Sequence, residues 1–138
     1  MKEIVKMKWP KLKQEVRVEL LTEFNPTVCD IFLSQLPFTS IQSHAVVCGK
    51  QMYFPYILTN RPEDMQFENM AGQPIGRVNI ELDFQYLSLN YGPNYEAVPT
   101  LAIGQVLDED IDILKSVGYS IWNNLLFSKE YIEVIVER

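Results

Sequence analysis

The chain has 138 residues, 47% apolar and 22% charged, with a net charge of −6. That composition is globular, predicts one domain over residues 1–138, and excludes a disordered chain. Two cysteines exclude a disulfide scaffold or a four-thiolate metal site, and the longest uncharged run, Ile31 to Gly49, is too polar for a membrane span.

Residues 1–17 hold six of the twelve basic groups and two acids. The rest holds six basic and sixteen acidic groups, a net of −10 that repels nucleic acid, so the basic stretch is expected to be solvated or to pack on the acidic body. Met1 to Pro10 lacks the apolar core of a secretory signal, and a soluble, cytoplasmic protein is expected. Glu3 to Met7 reads as a first strand, broken at Pro10. Glu15 to Leu20 alternates charged and apolar residues strictly, as a half-buried strand does.

Asn25-Pro26 predicts a helix start, with the amide oxygen as cap and proline at the first turn. Val28, Ile31, Phe32 and Leu36 continue it for about three turns, until Pro37. Thr39 to Val47 and Gln51 to Ile57 read as strands joined by a turn at Cys48-Gly49-Lys50. Thr59 to Gly76 reads as a long polar loop.

From Val78 to Tyr86 the even positions are apolar, but at Leu87 the phase flips. A straight strand cannot do this, which predicts a bulge, corner or break near residues 82–86. Gly92-Pro93 is expected to end the segment. Thr100 to Leu107 is a further strand. Asp108-Glu109-Asp110 opens a second helix with the stripe Ile111, Leu114, Val117, Ile121 and Trp122, which Gly118 is expected to shorten. Tyr131 to Val136 closes the chain as a strand. About eight short strands and two helices, without βα alternation, predict a mainly β fold: an antiparallel barrel, closed or nearly so, with helices at its ends.

His44 is the sole histidine, and Cys48, if it shared that strand, would stand roughly 13 Å away at about 3.3 Å per residue, too far for a thiol–imidazole pair. Asp108, Asp110 and Asp112 mimic a calcium loop, but Ile113 and Tyr119 stand where its glycine and glutamate belong. No phosphate loop or zinc set is present, and no metal or cofactor is expected. Glu81, Asp83 and Glu96 are carboxylates free to converge, although exposed positions are the ordinary outcome. Phe84 to Tyr95 is twelve residues without a charge. Its Tyr86, Tyr91 and Tyr95, with Asn90 and Asn94, suit either an aromatic pocket or the barrel interior.

Val16 to Leu21, then Asn25-Pro26-Thr27-Val28 and Ile31-Phe32, resemble the strand–helix opening of cyclophilins. Ile103-Gly104-Gln105-Val106-Leu107 with Ile111 to Val117 is similar to their Phe-Gly-x-Val strand and following helix. The catalytic arginine of that family has no counterpart in Phe38 to Val47. His44-Ala45, Cys48-Gly49-Lys50 and Tyr91-Gly92-Pro93 look more like the small uncharacterised prokaryotic cyclophilin-like proteins. The resemblance implies a closed, eight-stranded barrel capped by two helices.

The expected function is binding of a small molecule or peptide in an aromatic cleft formed by His44, Tyr53, Tyr91, Asn94, Tyr95 and Glu96, with residues 59–76 as a flap. One alternative is a prolyl isomerase in which Arg61 or Arg77 replaces the missing arginine. Another is a homo-oligomer or a non-catalytic subunit of a larger enzyme.

Overall fold

A computed structural model describes residues 2–138. Its strands are β1 (Ile4–Trp9), β2 (Gln14–Leu20), β3 (Phe38–Ile41), β4 (Ser43–His44), β5 (Gly49–Pro55), β6 (Glu68–Asn69), β7 (Arg77–Glu81), β8 (Tyr86–Asn94), β9 (Pro99–Val106) and β10 (Glu133–Glu137). The helices are α1 (Pro26–Ser34) and α2 (Ile111–Asn123). One antiparallel sheet runs β3-β10-β1-β2-β9-β7-β8-β5-β4, and the short β6 pairs with β9. Its ends, β3 and β4, are consecutive in the chain, so the sheet nearly closes into a barrel.

The path holds nine strands rather than eight because the expected strand 39–47 is interrupted at Gln42 and ends at His44. Gln42 is buried and spends its side chain on the seam. It accepts from Trp9 Nε1 at 2.9 Å and donates to the carbonyls of Ser43 and Tyr53, both at 3.0 Å. The backbone thereby switches from pairing with β10 to pairing with β5.

Alternation builds the interior. Val16, Val18 and Leu20 of β2 face inward beside Val5, Met7 and Trp9 of β1, while the charged residues between them face out. Phe32 of α1 packs against Phe38 and Tyr56, and Leu114, Val117 and Ile121 of α2 join the same core. Each such fully buried large side chain contributes about 1.5–3 kcal/mol of transfer free energy.

The basic stretch packs on the acidic body: Lys8 meets Glu137 at 2.7 Å, and Arg17 holds the Asp110 carboxylate through its backbone N–H, Nε and Nη2. Exposed pairs of the Lys8 kind add little stability, because water screens them.

Local expectations differ from the structure in several places. Asn25 does not cap α1 with its side chain. Its amide clips the following long segment to the barrel instead, accepting from Gln66 N (2.8 Å) and donating to the carbonyls of Gln66 (3.0 Å) and Ala102 (2.7 Å). At about 1 kcal/mol per bond, this clip outweighs a single cap bond. Helix α1 ends at Ser34, and α2 runs straight through Gly118. The phase flip is a turn at residues 82–85, with Gln85 at φ 57°, separating β7 from β8. Strand β8 continues past Gly92-Pro93 to Asn94, where Pro93 O lies so close to Gly49 that a Cβ there would sit 2.4 Å from it. Gly49, at φ 119°, is therefore required twice over.

Residues 59–76 are not a free flap. Glu68 and Asn69 pair with β9, a 3-10 turn follows at Met70–Gly72, and Met70 is buried. This strap lies over the outer face of the sheet. Both faces of β7 are therefore buried, Val78 and Ile80 in the barrel core and Asn79 and Glu81 under the strap.

Candidate functional site

Under the strap, the outer face of β5, β7, β8 and β9 is buried and polar. Gln51 Nε2 donates to Asn90 Oδ1 at 3.1 Å, while Gln73 and Asn79 exchange amide bonds at 2.7 and 2.8 Å. Gln73 and Arg77 both donate to Glu68. Most of this buried polarity is therefore satisfied, as burial requires.

Beside this network a cavity of about 510 Å³ opens between the strap, the β7–β8 turn and the start of β9. Phe67, Phe84 and Tyr86 are among its walls, and Glu81, Asp83 and Glu96 line it. Among the described residues no lysine, arginine or histidine does so. Pairing of Glu81 with Tyr86 across β7 and β8 puts both side chains on this face. Tyr86 is held in an aromatic stack, with Tyr53 behind it at 4.5 Å and Phe84 on its other neighbour position at 5.6 Å.

Glu81 is 8% exposed and accepts from the Thr100 hydroxyl. Burial pushes its carboxyl above the usual range, and the negative charges of Glu96 and Asp83 push the same way, against the Thr100 bond. Ser88 Oγ, buried on the same face, has no hydrogen-bond partner. A buried carboxyl in a cavity can hold a proton or neutralise a bound cation.

A second cavity, about 420 Å³, lies between β4, β5, β8 and α2. His44 Nδ1 faces the Ala45 carbonyl at 2.5 Å, and a carbonyl only accepts, so Nδ1 carries the ring hydrogen. Nε2 is left to accept from the Tyr91 hydroxyl at 2.6 Å. Burial keeps His44 below its ordinary pKa and raises that of Tyr91 to about 12, so the pair is neutral. Trp122 stands 4.7 Å from the His44 ring, and Tyr119 stands 5.7 Å from Tyr91.

Of the six residues expected in one cleft, four are divided between these two cavities and two, Tyr53 and Asn94, line neither. His44, Tyr91 and Tyr95 line the aromatic cleft, together with Lys50, Tyr119 and Trp122. Glu96 lines the acidic cavity, Tyr53 backs its Tyr86 wall, and Asn94 holds Glu96 by accepting its backbone N–H at 2.9 Å. Glu81, Asp83 and Glu96 do line one cavity, Glu81 buried and Asp83 and Glu96 at exposed positions. Strand alternation marks Glu81 as outward-facing, but only the strap, a long-range feature, makes outward mean buried.

Neither thiol meets the histidine: Cys29 donates to Ile103 O and Cys48 to Gln51 Oε1. Arg61 donates to Leu82 O, and Arg77 is paired with Glu68. Among the described residues no group of three His, Cys, Asp or Glu side chains could hold a metal ion, and no helix is long and apolar enough to cross a membrane.

No protein-family model matches the chain, and no curated protein does. Among solved structures, that of McbB in complex with tryptophan is 30% identical and superposes with a TM-score of 0.88 over 97% of this chain. This chain spans 44% of that one. The solution structure of the hypothetical protein AF2241 from Archaeoglobus fulgidus, 15% identical, matches with a TM-score of 0.65, covering 99% of this chain and 95% of that one. At that identity the likeness is one of fold.

Proposed function

We propose that this chain binds a small molecule carrying a protonated amine on an aromatic body, in the acidic cavity, with Glu81 as the counter-charge. The observation that carries this reading is a carboxyl 8% exposed in a 510 Å³ cavity lined by three carboxylates, aromatic rings and no basic side chain. Ligand cavities are commonly about 300–1,000 Å³, mostly apolar, with a few convergent polar groups. Burying Glu81 as an anion is costly, and an ammonium partner relieves that cost through a charge-assisted hydrogen bond. Phe67, Phe84 and Tyr86 supply ring faces.

Tryptophan, the molecule bound in the McbB structure, has an ammonium and an indole. Both features have counterparts in this cavity, but no described basic residue lines it to pair with the carboxylate of an amino acid. The preferred ligand is therefore an amine lacking that carboxylate. The barrel, its strand–helix opening and its missing arginine support kinship with the small cyclophilin-like proteins. They disfavour prolyl isomerisation, since Arg61 and Arg77 are both engaged within the protein.

Calorimetric titration with tryptamine, tryptophan and indole-3-propionate tests this. Tryptamine is expected to bind most tightly and indole-3-propionate not measurably. Glu81→Gln should weaken tryptamine roughly tenfold or more, the scale of a lost charged hydrogen bond. Equal binding of all three, or an unaltered Glu81→Gln protein, would reject the reading.

A second reading, that the barrel works as one part of a larger assembly, is favoured by its spanning 44% of the McbB chain. Light scattering tests it, and a monomer that binds tryptamine unaided would count against it.

A further inference from the structure

We infer that the aromatic cleft between β4, β5, β8 and α2 is a second binding site, built for a planar aromatic carboxylate. This rests on the cleft alone and not on the amine reading of the acidic cavity.

The cleft has about 420 Å³ of space and four aromatic rings close together at its floor and side: His44, Tyr91, Tyr119 and Trp122. Two glycines make those walls possible. A Cβ on Gly118, in the middle of α2, would lie 2.5 Å from the Tyr91 ring, and one on Gly92 would lie 2.6 Å from Lys50 Cδ. Gly118 thus seats the phenol under the helix. Gly92 lets the Lys50 stem lie flat across β8.

Among the described residues that stem carries the one cationic group lining the cleft apart from His44, whose charged form burial disfavours, and no carboxylate lines it. Lys50 Nζ donates to the Tyr119 hydroxyl at 2.7 Å and stands 4.9 Å from the ring centroid. An ammonium has three hydrogens, and one is used here. The remaining donors, at the edge of a ring-lined slot, suit a carboxylate whose aromatic body enters the slot.

The charge pattern sets this site apart from its neighbour. Lys50 and Tyr95 face the cleft, while the next residues along the chain, Gln51 and Glu96, face the acidic cavity. Two cavities of opposite sign therefore share the same stretch of backbone. Each disfavours the ligand of the other.

Trp122 is a reporter inside the cleft, and the only other tryptophan, Trp9, is fully buried with its N–H bonded to Gln42. Tryptophan emission is followed while the protein is titrated with benzoate, benzamide and benzylamine. Benzoate should give a saturable change and bind roughly tenfold more tightly than benzylamine, the advantage of a charged over a repelled partner. Lys50→Met, which keeps the stem over Gly92, should bring benzoate down to the level of benzamide. Trp122→Phe should abolish the benzoate-dependent change, and Glu81→Gln should leave benzoate binding intact. Absence of a saturable change, equal binding of benzylamine, or a benzoate affinity insensitive to Lys50→Met would overturn the inference. So would a signal that survives Trp122→Phe or a benzoate affinity that falls with Glu81→Gln.

Discussion

Tyr91 donates its phenolic hydrogen to His44 Nε2 across 2.6 Å, joining β8 to β4 at the point where α2 crosses them. Replacing Tyr91 by Phe leaves a buried acceptor unpaired, at a cost of about 1–3 kcal/mol. Denaturant unfolding of Tyr91→Phe should show that loss. Nitrogen-15 spectra should find the hydrogen of the wild-type His44 ring on Nδ1. His44 is held below its ordinary pKa, so its contribution is present above the unfolded value of about 6.5 and is lost as pH falls through the folded value.

Glu81 runs the other way. Its folded pKa is raised, chiefly by burial, so its contribution is complete below the unfolded carboxylate value and is lost as pH rises through the folded one. Thermal unfolding of the wild type and Glu81→Gln across pH 4–9 should show the wild type losing ground relative to the variant as pH rises.

In an open helix Gly118→Ala would stabilise by about 1 kcal/mol. Here the new Cβ would lie 2.5 Å from Tyr91, and overpacking of this kind costs about 1–3 kcal/mol. The clash is expected to win, lowering the melting temperature and disturbing the Trp122 emission.

Gln42→Ala strips Trp9 Nε1 of its acceptor and the seam of both amide donors. A loss of about 2 kcal/mol is expected, within the range for an unsatisfied buried donor. The double variant Gln42→Ala with Trp9→Phe should lose less than the sum of the single changes, because no indole N–H remains to be orphaned. Chemical denaturation of the four proteins measures this directly.

Much of the barrel was readable from period alone. Glu15 to Leu20 announced β2, and the phase change at Leu87 announced the 82–85 turn, because facing is a local property of a pleated strand. What lay beyond reach depends on contacts distant in sequence. Asn25 has the residue type and position of a helix cap, yet its amide serves Gln66 and Ala102, 41 and 77 residues away. Glu81 and Asn79 read as solvent-facing because alternation reveals which side of a sheet a residue takes, not what covers that side. The aromatic run 84–95 was visible as chemistry. Its division between two cavities follows from strand alternation in β8, with Tyr86 on the outer face lining one cavity and Tyr91 on the inner face lining the other.

The pH dependence of tryptamine affinity, measured by calorimetry from pH 5 to 8 on the wild type and Glu81→Gln, bears most directly on the acidic cavity. An ammonium ligand favours the ionised carboxylate, so wild-type affinity should climb as pH rises through the elevated pKa of Glu81 and then level off. The glutamine variant should be weaker and nearly flat. Parallel pH profiles in the two proteins would contradict the role assigned to Glu81.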